Sequence, residues 1–62
     1  MPNQDARQHM RECEARYWLR QGYTTPEKIA ELRQRLKQRG PQALDLLVEE
    51  MRRQWKRRAD WL

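Results

Sequence analysis

Gln21-Gly22-Tyr23-Thr24-Thr25-Pro26-Glu27 and, farther on, Arg39-Gly40-Pro41-Gln42 decide the fold. Gly22 and Gly40 are the only glycines in 62 residues, and Pro26 and Pro41 follow them closely. Glycine is favoured just past a helix end, where a left-handed residue closes the last turn. Proline is favoured in the first turn of the next helix. Each stretch therefore reads as a helix stop followed by a helix start. Together they divide the chain into three helical segments, about 4–21, 26–39 and 41–60. Asn3 or Asp5 is expected to cap the first. Gly22 should end it, with Tyr23 folding back on Trp18. Thr25 as cap with Pro26 at the first helical position opens the second, and a Thr24/Glu27 capping box is the alternative. β-branched residues are few and no segment alternates with period two, so strands are not expected.

Apolar residues recur at helical spacing around these breaks. The stripes are Ala6, Met10, Cys13 and Tyr17; then Ile29, Leu32 and Leu36; then Leu44, Leu47, Val48, Met51, Trp55, Ala59 and Leu62. Three inward stripes predict an all-α fold, a small three-helix bundle with coiled-coil-like packing. Ala15, Trp18 and Leu19 lie off the first stripe and form a second apolar patch, suited to a partner or to self-association. Helix three, at ~30 Å against ~21 Å for helix two, should overhang unless helix one covers its end. Completion by a homodimer is the corresponding expectation.

Composition narrows the function. Apolar and charged residues each make up 37% of the chain, and no apolar run approaches the ~20 residues of a membrane span. The first five residues lack the blocks of a signal peptide. With one cysteine, Cys13, no internal disulfide framework and no four-cysteine zinc site can form, and a reducing compartment is expected. A chain this short has little material for a dry catalytic pocket, and it contains no serine. The carboxylate pairs Glu27/Glu31 and Glu49/Glu50 lie on polar faces. An enzyme is not expected, nor a cofactor. The net charge of +5 is unevenly spread: residues 41–51 carry no cation and three acids, residues 52–62 five cations and one acid. Such a balance suits an acidic protein surface or a phosphate backbone.

The basic end, Arg52 to Leu62, is the most informative stretch. Arg53, Lys56, Arg57, Arg58 and Trp61 are expected to contact a partner, with Trp61 within reach of Arg57 and an ion pair between Glu49 and Arg53. Lys28, Arg35 and Arg39 form a second row that could track phosphates, whereas Arg33 covers a core edge with its alkyl stem. Helices two and three resemble a helix-turn-helix in their tight connection only. The start of the third, Gln42-Ala43-Leu44-Asp45-Leu46-Leu47, offers no cation or Asn to base edges. His9 and Cys13, one turn apart, have metal-ligand geometry, but one chain supplies only these two, so a metal is not expected unless two chains share it.

Cys13-Glu14-Ala15-Arg16-Tyr17-Trp18-Leu19, then Arg39-Gly40-Pro41-Gln42-Ala43-Leu44, then Trp55 carry a resemblance. With its C-E-A-R and R-G-x-x-A segments and late Trp, the chain resembles small helical proteins of unknown function encoded by bacteriophages and by prophages of proteobacteria. The resemblance covers most of residues 12–58 and brings no functional residue with it. It implies the cytoplasm of a bacterial host and an accessory role, typically inhibition or regulation of host machinery. The expected function is therefore binding and modulation of a host protein with an acidic surface. The alternative is sequence-independent nucleic-acid binding through the two basic rows.

Overall fold

The computed structural model describes residues 2–62, with side chains from Ala6 onward. It is all-α, a small three-helix bundle: α1 (Pro2–Arg20), α2 (Pro26–Arg35) and α3 (Pro41–Lys56). Gly22, at φ 102°, closes α1. Tyr23 N–H donates to the Trp18 carbonyl at 3.2 Å and Gly22 N–H to that of Leu19 at 3.0 Å. These two bonds define a Schellman cap, and the Trp18 and Tyr23 rings meet edge-on with centroids 5.4 Å apart. Thr25 caps α2 by accepting from Lys28 N–H at 3.2 Å. Gly40 starts α3 at φ 89°, ψ 156°, a conformation open to glycine and strained for any other residue.

Three boundaries differ from expectation. Helix α1 begins at Pro2, so Asn3 and Asp5 fall inside the helix rather than ahead of it. Proline at the first position loses no intrahelical bond. Segments two and three each end in a single 3-10 turn, Lys37–Arg39 and Arg58–Asp60, and not in continued α-helix. Such turns tighten a helix end and satisfy its last carbonyls.

The core is built from Ala15, Leu19, Leu32, Leu44, Leu47, Val48 and Met51, all buried. Ile29, Leu36, Trp18, Tyr23, Trp55 and Trp61 pack around it, half-buried. The apolar reading of α2 and α3 thus stands through Trp55, whereas Ala59 and Leu62 are exposed.

The reading of α1 is reversed. Met10 is 69% exposed and Tyr17 52%, and Ala6 and Cys13 also face outward. Ala15 (0% exposed) and Leu19 form the true contact face, so these two members of the expected patch are interior, while Trp18 is half-buried against Tyr17 and Tyr23. The reason lies in what α3 presents. Its inward face includes Glu50 and Gln54, 2% and 1% exposed, and these select a polar partner face. Gln8 Nε2 donates to Glu50 at 3.1 Å, Arg16 Nε to Gln54 Oε1 at 2.9 Å, and Gln54 Nε2 to Glu50 Oε2 at 2.8 Å. A buried carboxylate with three donors around it outweighs the ordinary preference for methyl groups inside.

Helix α1 packs across α3 through both of its flanks. One flank, with Met10 and Glu14, faces the start of α3 and Arg39. The other, with Gln8, Arg16 and Arg20, reaches Glu50, Gln54 and Trp61 toward its end. This packing gives a flattened molecule, with Cα extents of 36 × 30 × 14 Å. It also covers the end of α3, which removes the expected overhang.

Candidate binding groove and basic end

A groove lies between α1 and the first turns of α3. Its volume is about 540 Å³. Met10, Ala43, Leu46 and the buried Leu47 supply its apolar lining, and Arg7, Arg11, Arg39 and Glu14 its charged lining. Leu46 is 42% exposed. One arginine is neutralised: Arg39 and Glu14 pair at 2.7 Å. The hydrogen bond from Arg39 holds the Glu14 carboxyl below its ordinary pKa despite partial burial, and Glu14 raises Arg39 in turn. Arg11 donates to Gln8 Oε1 at 3.1 Å, which leaves other guanidinium donors for a ligand. Apolar and charged lining together can seat an apolar side chain and bind a carboxylate beside it.

Sequence reasoning missed this groove because Met10 was assigned to the core. Leu46 was the available signal. It is a large apolar residue on the side of α3 away from Leu44, Leu47 and Met51.

A second cleft, of about 370 Å³, lies between the Tyr23–Pro26 turn and α3. Ile29, Val48, Met51 and Trp55 line it, with Arg52 at its mouth.

The basic end is arranged differently from expectation. Trp61 does not project from it. The ring folds back toward α1, half-buried against the core, and its Nε1–H donates to the Gln54 carbonyl at 2.9 Å. Arg16 and Arg20 stack on it, with guanidinium carbons 5.7 and 5.2 Å from the ring, where Arg57 had been expected. Arg20 also donates to the Trp61 carbonyl at 3.1 Å. Arg57 instead pairs with Asp60 at 3.6 Å, and Arg58 covers Trp55 at 4.6 Å. Arg53 pairs with the buried Glu50 at 2.8 Å rather than with Glu49. Lys56 is exposed. The end is strongly basic, but its aromatic ring holds the fold together. Trp61→Ala is therefore expected to cost roughly 1–3 kcal/mol of stability, read from thermal melting. The two cation–π contacts, at ~0.5–1 kcal/mol each for exposed sites, supply part of it. A melting temperature unchanged by the substitution would return Trp61 to a purely external role.

The Lys28, Arg35 and Arg39 row is largely engaged. Lys28 pairs with Glu31 at 3.9 Å and Arg39 with Glu14. Arg35 donates to the Tyr23 hydroxyl at 3.2 Å and lies over Trp18 at 5.7 Å. All three side chains stay exposed, and each has a partner within the chain. Arg33 pairs with Asp45 at 2.9 Å and ties α2 to α3.

These features define a small all-α module with a groove lined by apolar and basic side chains. The chain belongs to a family of unknown function, DUF7696, whose pattern matches residues 3–58. No curated protein and no solved structure matches it. The resemblance drawn above pointed to a family without an assigned activity, and this family is of that kind. No helix among the described residues is long and apolar enough to cross a membrane.

Proposed function

We propose that this chain is a non-catalytic protein-binding module that seats an acidic, amphipathic helix of its partner in the α1–α3 groove. The observation that carries the reading is that exposed Met10 and Leu46 line one groove together with Arg7 and Arg11. Apolar and cationic lining side by side suits a helix with leucine-type anchors and a carboxylate flank. Phosphate binding has no use for the apolar lining, and engagement of the Lys28, Arg35 and Arg39 row weakens the nucleic-acid alternative. Arg53, Lys56, Arg57 and Arg58 then add long-range attraction for an acidic surface and act on association rate. The accessory, inhibitory role in a bacterial host rests on the phage-type resemblance alone and is the cellular form of this proposal.

The test uses a synthetic acidic amphipathic helical peptide and, in parallel, duplex DNA of arbitrary sequence. Leu46→Glu and the pair Arg7→Glu with Arg11→Glu are expected to weaken peptide binding at least about tenfold, or ~1.4 kcal/mol. All three positions are on the groove, so the fold should tolerate them, as circular dichroism will report. DNA binding that falls with salt at a log–log slope of about −0.9 per phosphate, together with no effect of Leu46→Glu on the peptide, would favour the alternative.

A further inference from the structure

The outward face of α1 raises a separate question, because it holds the chain's one cysteine and one histidine together. We propose that His9 and Cys13 are half of a tetrahedral metal site, completed by the same two residues of a second copy, so that one zinc ion joins two chains. This does not depend on the groove reading.

The geometry comes first. His9 and Cys13 are both exposed, and His9 Nε2 lies 3.6 Å from Cys13 Sγ. Zinc takes imidazole nitrogen at ~2.0–2.1 Å and thiolate sulfur at ~2.3 Å; at a tetrahedral angle those lengths put nitrogen and sulfur ~3.6 Å apart. The contact is a thiol–imidazole hydrogen bond in the single chain, and its length matches the spacing two ligands of one ion would take once the thiol proton is lost. Among the described residues, no group of three or more His, Cys, Asp or Glu is placed to hold a metal. One chain thus supplies two ligands of the four that zinc prefers, and a two-fold copy supplies the same two again. Two thiolates and two neutral imidazoles balance the charge of a divalent ion. Sulfur and nitrogen donors favour zinc over calcium or magnesium, which take oxygen.

The surroundings also fit a second copy. Ala6 and Tyr17 share this face at helical spacing and are exposed, and Met10, which also lines the groove, borders it. The charged residues between Ala6 and Tyr17 are directed elsewhere. Glu12 meets Gln8, Glu14 meets Arg39, and Arg16 meets Gln54. Arg7 and Arg11 line the groove. The face is thus apolar and poor in charge in a chain of net charge +5, so two copies can meet there without mutual repulsion. An antiparallel arrangement about a two-fold axis between His9 and Cys13 brings the four ligands together. It lays Tyr17 of one copy near Ala6 of the other.

The full chain, kept reduced with a phosphine, is titrated with cobalt and then zinc, and its mass is followed by sedimentation equilibrium. Support is one metal per two chains, a metal-dependent doubling of mass, and a thiolate-to-cobalt absorption band with the visible bands of a tetrahedral ion. His9→Gln and Cys13→Ser should each abolish the mass doubling while leaving the melting temperature in place, because both side chains are exposed. A mass indifferent to metal, a one-to-one stoichiometry, or doubling that survives in either variant overturns the proposal. So does a metal-free dimer that reductant dissolves, which would be a Cys13 disulfide.

Discussion

Leu32→Ala and Met51→Ala are each expected to remove a large share of the fold's stability at room temperature. Both side chains are 1% exposed, and they come from different helices. Leu32 is the one fully buried residue of α2. Helix α2 thus holds its place through that side chain, its half-buried neighbours Ile29 and Leu36, and the Arg33–Asp45 pair. Truncation removes the transfer free energy of the lost atoms and leaves a cavity, at a typical cost of ~2–5 kcal/mol. A domain of this size has little in reserve: at ~0.05–0.15 kcal/mol per residue the whole fold is worth roughly 3–9 kcal/mol. Leu32→Ile and Met51→Leu keep the volume and should cost less than about 1.5 kcal/mol. Urea denaturation followed by circular dichroism separates the two cases. If either alanine variant loses less than about 1 kcal/mol, the site lies outside the range typical of core truncations and the core has been assigned wrongly.

The breaks between helices were legible because their chemistry is local. Gly22 and Gly40 take backbone angles that other residues avoid, and Thr25-Pro26 caps a helix with its own side chain. The faces of α2 and α3 were legible because Leu32, Leu47, Val48 and Met51 follow helical spacing on segments with one plainly apolar side. Helix α1 has no such side. Its buried face mixes Ala15 and Leu19 with Gln8 and Arg16, and its open face holds Met10 and Tyr17. Periodicity of hydrophobicity picks the open face, since it cannot know that Glu50 and Gln54 wait on α3. The hint was present in α3 itself, where a Glu and a Gln four apart flank the apolar stripe. The same blindness placed Trp61 outside. Its two cationic partners, Arg16 and Arg20, are some forty residues away in sequence and arrive only through the packing of α1 across α3. The segments that carry the family resemblance prove to be joints of the fold. Glu14 and Arg39, one from each segment, form the ion pair between α1 and the turn before α3, and Ala15 sits fully buried where the helices meet.

Removal of the Glu50 carboxylate should produce the second large effect. Its two oxygens accept from Gln8, Gln54 and Arg53 at 2.8–3.1 Å. In Glu50→Ala the Gln54 amide, itself 1% exposed, loses its acceptor, whereas Gln8 is half-buried and keeps its bond to Glu12. A buried donor without a partner costs ~1–3 kcal/mol, and the stranded Gln54 amide sets the expected loss at roughly that size. Arg53 adds no stranded charge, because its side chain is 60% exposed and can turn to water. Glu50→Gln keeps one acceptor and should fall between. Acid makes the same point without mutation. Burial acts to raise the Glu50 pKa, but the bonds from Gln54, Gln8 and Arg53 and the charge of Arg53 outweigh it. The group titrates below its ordinary value of 4.5, as Glu14 does beside Arg39. Folding therefore disfavours the proton on both carboxyls. The stability they contribute is complete above that ordinary value and is lost as pH falls through their lowered folded values. Thermal melts at descending pH should show the wild type losing stability below 4.5, and Glu50→Gln losing less over the same interval. Equal acid sensitivity in the two proteins, or a Glu50→Ala variant within about 0.5 kcal/mol of the wild type, would mean that the polar seam between α1 and α3 does not hold them together.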